Sequence, residues 1–158
     1  MVTAAPPGVA TPAAMDAVSR GGLRHRGGGL DARVRAVVKE HLDALNACDV
    51  PRLMAQHPPN FKFLGVNGTM LDRAGMRELY VGVCGPAVKG GPDGPYRFEV
   101  RSSFRFGPVL YVKLKVTAPH LARPYFLSDA FGTRCDKLVM VLSTFDGTNL
   151  VFKKRPRI

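Results

Sequence analysis

The sequence predicts an α+β domain in which helices collect on one face of a strongly bent antiparallel sheet. Three observations carry this expectation. Val34, Val37, Val38, His41, Leu42 and Leu45 recur at helical spacing. From Tyr96 onward the apolar period falls to two, as in strands with one buried face. Between these halves, Asn67-Gly68 is a strong hairpin signal. Helices first and strands afterwards is the order of an α+β architecture.

Asp31 reads as the N-cap of the first helix, with Arg33, Lys39, Glu40 and Asp43 on its polar side. Asp49 caps a short second helix that His57-Pro58-Pro59 stops. Phe61 to Val66 reads as a strand, and the chain returns through Thr69 to Leu71. Asp72 caps a third helix, with Leu71 and Met76 placed as a hydrophobic staple and Gly85-Pro86 at its end. In the strand from Tyr96 to Phe106, the aromatic residues Tyr96, Phe98, Phe104 and Phe106 share one parity with Val100, while Arg97, Arg101 and Arg105 share the other. Gly107-Pro108 turns into a strand alternating Leu110, Val112, Leu114 and Val116 with Lys113 and Lys115. Residues 119–132 read as a loop or a short turn of helix, Cys135 to Phe145 as a strand, and Asn149 to Arg155 as the last strand. Residues 1–30 read as an Ala/Pro/Gly-rich tail and 31–158 as the folded domain.

Hydrophobic residues make up 46% of the 158-residue chain, enough for a core that needs no disulfide or metal staple. No apolar run is long enough to cross a bilayer. Cys48, Cys84 and Cys135 form no CxxC pair, and the histidines are equally scattered, so idle thiols in a reducing intracellular compartment are expected and no metal. Absence of GxSxG, P-loop and GxGxxG patterns leads to an expectation of no cofactor. The Arg-containing, acid-poor tail also fits a mitochondrial or plastid transit peptide. Net charge is +11, most of it on the folded part, which favours an acidic partner.

The stretch Val37 to Asp49, ending Ala44-Leu45-Asn46-Ala47-Cys48-Asp49, resembles the first-helix signature of the nuclear transport factor 2-like superfamily, the cystatin roll of ketosteroid isomerases and polyketide cyclases. The run Gly68 to Tyr80 is similar to that superfamily's third helix, and Leu138 to Lys153 to its closing strands. The resemblance implies a cone-shaped roll, the bent sheet wrapped around the N-terminal helical layer, with a pocket inside the cone. It places the isomerase's tyrosine oxyanion donor at His41, its protonated aspartic acid at Asp136 and its catalytic base at Gly65, which has no side chain to take a proton.

Two functional classes follow. The favoured one is a non-catalytic binding or assembly module, an accessory subunit of a larger complex. It would dock on an acidic protein surface through the tail and a basic outer sheet face carrying Arg97, Arg101, Arg105, Lys113, Lys115, Lys153 and Arg155. Like charges on that face count against a homodimer. RNA stays open as a partner, although alternation puts no aromatic platform on the basic parity. The other class is a small-molecule isomerase, cyclase or hydratase, or a ligand binder. It would hold an apolar ligand in a pocket where His41 and Asp136 form an acid/base couple.

Overall fold

Residues 28–85, 95–145 and 147–153 are described in the structure, a computed structural model. Helix α1 spans Gly28–Asn46 and buries Val34, Val38, His41, Leu42, Ala44 and Leu45 along one stripe. It starts before Asp31. That carboxylate instead binds Arg35 Nε at 2.9 Å and Arg105 Nε at 3.1 Å, and a contact with residue 105 is invisible to local capping rules. Helix α2 (Val50–Ala55) is capped as expected, with Arg52 N–H donating to Asp49 Oδ1 at 3.0 Å.

Strands β1 (Lys62–Leu64) and β2 (Met70–Leu71) form the Asn67-Gly68 hairpin. Gly68 sits at φ +79°, and Asn67 Oδ1 accepts from Thr69 N–H at 3.1 Å, so both turn residues perform the task their chemistry suits. Asp72 caps α3 (Arg73–Cys84) by accepting from Gly75 N–H at 2.9 Å, and Gly85 ends it at φ +56°.

Four long strands follow: β3 (Arg97–Phe106), β4 (Val109–Thr117), β5 (Tyr125–Arg134) and β6 (Lys137–Phe145). The sheet order is β2-β1-β6-β5-β4-β3. All pairings are antiparallel except β1 with β6, which is parallel, so the sheet is mixed. Periodicity reports which face a strand buries and carries no information about a partner half the chain away.

Three other expectations change. Most of the segment read as a loop at 119–132 is β5, which pairs along its length with both β4 and β6. Its inward residues are Tyr125, Leu127, Asp129 and Phe131, and the carboxylate interrupts what would otherwise read as clean alternation. Beyond β6 the chain makes a single 3-10 turn at Gly147–Asn149 and one isolated bridge, Leu121 to Phe152, instead of a regular strand to Arg155. Residues 154–158 lie outside the described residues, as do 1–27.

The third change concerns β3. Its register slips between Val100 and Ser102, leaving Arg101 as the extra residue of a β-bulge. A bulge inverts the faces of everything beyond it. Opposed residues share a face, so Phe104, opposite exposed Tyr111, points outward, and Arg105, opposite buried Leu110, points inward. Helix α1 then lies across the inner face, and its stripe meets Leu110, Val112, Leu114, Val116 and Phe131 in one core. Each fully buried aliphatic there contributes about 1.5–3 kcal/mol of transfer free energy. Asn46, at the end of α1, ties the helix to β3: its amide donates to Phe98 O at 2.9 Å and accepts from Phe98 N–H at 2.8 Å.

Candidate active site

The helices leave part of the inner sheet face uncovered. A cavity of about 690 Å³ lies between α1, α3 and the inner faces of β5 and β6. Its walls are largely apolar or aromatic: Phe63, Leu79, Phe98, Leu127, Val141 and Phe145 among them. Leu150, just after the 3-10 turn, adds to the lining.

Among the described residues, two carboxyls line the cavity: Glu78 is exposed and pairs with Arg77 at 3.1 Å, and Asp129 is the one turned inward. Inward parity on β5 forces its side chain into the cavity, opposite Val112 on β4 and Ser143 on β6. Ser143 Oγ donates to Asp129 Oδ1 at 2.5 Å. Burial among apolar walls disfavours the carboxylate and pushes its pKa up to about 7, with the Ser143 hydrogen bond a smaller opposing influence. A group poised there exchanges its proton readily at neutral pH.

The histidines and tyrosines around Asp129 are held neutral. His41 lines the cavity from α1, with Nδ1 2.9 Å from Gln56 Oε1. Since an amide oxygen only accepts, Nδ1 carries the proton and Nε2 the lone pair. Desolvation lowers the pKa of His41 to about 4, outweighing the Gln56 bond. His57, behind it, is lowered to about 3 by burial first, then by His41 and Arg73. Its Nε2 lies 2.6 Å from the Tyr80 hydroxyl. Burial, with the nearby charge of Asp129, raises the Tyr80 pKa and keeps the phenol protonated; Tyr125 is raised likewise, with Tyr96 and Asp129 adding to burial. Tyr96 closes one side, its hydroxyl 2.9 Å from His120 Nε2.

Of the pair expected to share the pocket, the structure brings only His41 to it. Asp136 is exposed. With Cys135 it forms the two-residue β5–β6 turn, and both have positive φ, 49° and 59°. A second bulge, where Gly132 faces Met140 but Thr133 faces Leu138, resets the inward parity of β6 beyond that turn. The carboxyl that does turn into the pocket, Asp129, was hidden in the segment read as a loop. Gly65 lines the cavity, as the resemblance implies, and brings no functional group.

The expected basic face also divides. Arg105 points inward to Asp31 and Gly107 O. Arg97 reaches the Asn46 carbonyl at the end of α1. Arg101, at the bulge, and Lys115 both pair with Glu99. Lys113 stays on the outer face, Lys153 binds Pro119 O at 2.6 Å, and Arg155 lies outside the described residues. The bulge is the physical reason: residues of one parity in β3 do not share one face.

A cone of this topology, with a helical layer over a bent sheet, matches solved structures. The chain has the nuclear transport factor 2-like fold. An NTF2-like protein from Burkholderia xenovorans superposes with TM-score 0.60 at 17% identity, covering 82% of this chain and 92% of that one. An epoxide hydrolase of M. tuberculosis gives TM-score 0.61 at 12% identity, covering 75% and 86%. TerC, co-crystallised with polyporic acid, gives 0.58 at 16%, covering 73% and 93%. No family model and no curated protein matches the chain. Among the described residues of this NTF2-like domain, no helix is long and apolar enough to cross a membrane.

Proposed function

We propose that this NTF2-like domain is a small-molecule enzyme of the isomerase, cyclase or hydratase kind, acting on a neutral apolar substrate with Asp129 as its general acid and base. The supporting observation is an inward-facing carboxyl, raised to about 7, within a largely apolar cavity of about 690 Å³. Cavities of this size accommodate small organic ligands. Enzymes among the structures of the same fold, such as the M. tuberculosis epoxide hydrolase, lend support to a catalytic reading.

Asp129 takes a proton from the substrate in its carboxylate form and returns it elsewhere in its acid form. Ser143 fixes Oδ1, which leaves Oδ2 to address the substrate. Neutral His41 offers a lone pair at the cavity wall and cannot compete as a charged acid near pH 7. The protonated phenols of Tyr80 and Tyr125 supply polar edges without bringing a charge. General acid–base catalysis of this kind contributes about 10²–10⁴-fold in rate.

The test is hydrogen exchange. Neutral apolar cyclic ketones are incubated with the protein in D₂O, and loss of the α-proton signal is followed by NMR across pH 5–9. Saturable exchange with an inflection near pH 7, lost in Asp129→Asn by about 10²-fold or more, is the expected result. Equal exchange in the two proteins at every pH would refute the assignment.

A further inference from the structure

The outer face of the sheet holds a different set of groups, and the pocket chemistry uses none of them. Past the bulge, Phe104 and Phe106 stand outward, 64% and 78% exposed. The rings of Phe104 and Tyr111 stack, 4.7 Å between centroids and 8° from parallel. Across the sheet, Phe126 is half-exposed with Lys113 Nζ 5.4 Å from its ring centre. A groove of about 320 Å³ runs over this face, and Ser102, Ser128 and Thr144 place hydroxyls along it beside Lys113.

From these groups we infer that the outer face of β3–β6 binds single-stranded RNA. Exposed rings on a sheet offer stacking platforms for unpaired bases, and no base of a duplex is free to occupy them. Tyr111 and Phe126 are separated by four residues along the strands and one strand across. At ~3.4 Å per residue and ~4.8 Å per strand, that is roughly 14 Å. Lys113 lies midway by register, where it meets the phosphate between two stacked nucleotides. The adjoining hydroxyls donate to and accept from a ribose 2′-OH.

Charge favours the same occupant. Among residues of β3–β6, Glu99 is the outward-pointing acid, and Arg101 and Lys115 already neutralise it at 2.6 and 3.6 Å; Asp129 also borders the groove, but its side chain turns inward to Ser143. Lys113 has no acidic neighbour among its cross-strand partners, Ser102 and Ser128. The chain as a whole carries +11, a long-range field that draws a polyanion. A second copy seated here would set lysine against lysine.

Fluorescence anisotropy of the full chain with a labelled 12-nucleotide single-stranded RNA, and with its duplex, tests this at 50 and 200 mM salt. The single strand is expected to bind at least tenfold tighter than the duplex. Phe104→Ala with Tyr111→Ala is expected to weaken it tenfold or more, since base–aromatic stacking is worth about 1–3 kcal/mol per base. Lys113→Ala should lower the salt slope by about one. Lys39→Ala, on the polar side of α1, should change affinity less than twofold. Equal binding of single strand and duplex, or aromatic variants that bind like wild type, overturns the inference. So does light scattering that finds a dimer which these variants split while RNA affinity is unmoved. All four side chains are exposed, and a thermal melt of each variant confirms that it folds.

Discussion

Replacing Asp129 by asparagine makes the stability of this domain a measurement of the pocket's electrostatics. Asparagine keeps the shape and still accepts from Ser143 Oγ, but cannot ionise. In the native protein the carboxyl's pKa rises from 3.8 to about 7. A raised acid contributes stability that is complete below its unfolded pKa and is lost as pH rises through its folded one. The window therefore runs from about pH 4 to about pH 7. Roughly three units at 1.36 kcal/mol each give a span of about 4 kcal/mol. Near pH 4 the two proteins should be almost equally stable. Above pH 7.5 the variant should be more stable by about 4 kcal/mol, or roughly ten degrees in Tm. Urea unfolding monitored by circular dichroism at half-unit intervals from pH 4.5 to 8.5 supplies the comparison. Histidine ionisation acts in an overlapping window, so the difference between the proteins isolates Asp129, and neither curve alone does. A difference that stays constant with pH would show that the carboxyl is not buried as described, and the acid–base reading of the site would fall with it.

The histidines give the opposite sign. His41 and His57 are held at about 4 and about 3, below the usual 6.5, so their contribution is complete above pH 6.5 and is lost as pH falls through those values. Acid unfolding should be steep below pH 5, and His57→Phe should flatten it when ellipticity is followed against pH. The same variant strands the buried Tyr80 hydroxyl and should cost about 1–3 kcal/mol at pH 8 by urea titration. Asn46→Ala removes both amide bonds to Phe98 and should cost about 1–3 kcal/mol, with faster amide exchange at Phe98 by NMR. Leu114→Ala, fully buried in the core, should cost about 2–5 kcal/mol in the same titration, and a loss under 1 would contradict the packing.

What was legible in the sequence follows the range of the interactions involved. Asp49 and Asp72 bond to backbone three residues away, and Asn67-Gly68 closes a turn on itself, so each could be read where it stands. His41 was legible because the helical stripe fixes its direction. The bulge at Arg101 was not, and it alone moves Phe104 outward and Arg105 inward. Asp129 was missed because a carboxylate in an apolar register looks like the end of a strand. The surviving signal was the spacing of Tyr125, Leu127 and Phe131, which keeps parity with it. Asp136 attracted notice by its place before Leu138, where two positive-φ residues make a turn that no Asn-Gly announces.

The parallel pairing of β1 with β6 bears on how the chain acquires its shape. Lys62 lies beside Met140, so the contact closes a loop of about half the chain. Loop closure on that scale is entropically costly before any side chain is rewarded for it, and long-range pairing of this sort slows folding. On the ribosome, the helical layer and the β1–β2 hairpin emerge well before the strand that must lie against them. Until β6 arrives, β1 presents one bare edge, and Val141 and Ser143 are missing from the cavity wall. The domain therefore cannot hold a ligand in its nascent form: the cavity is completed by one of the last strands to be made.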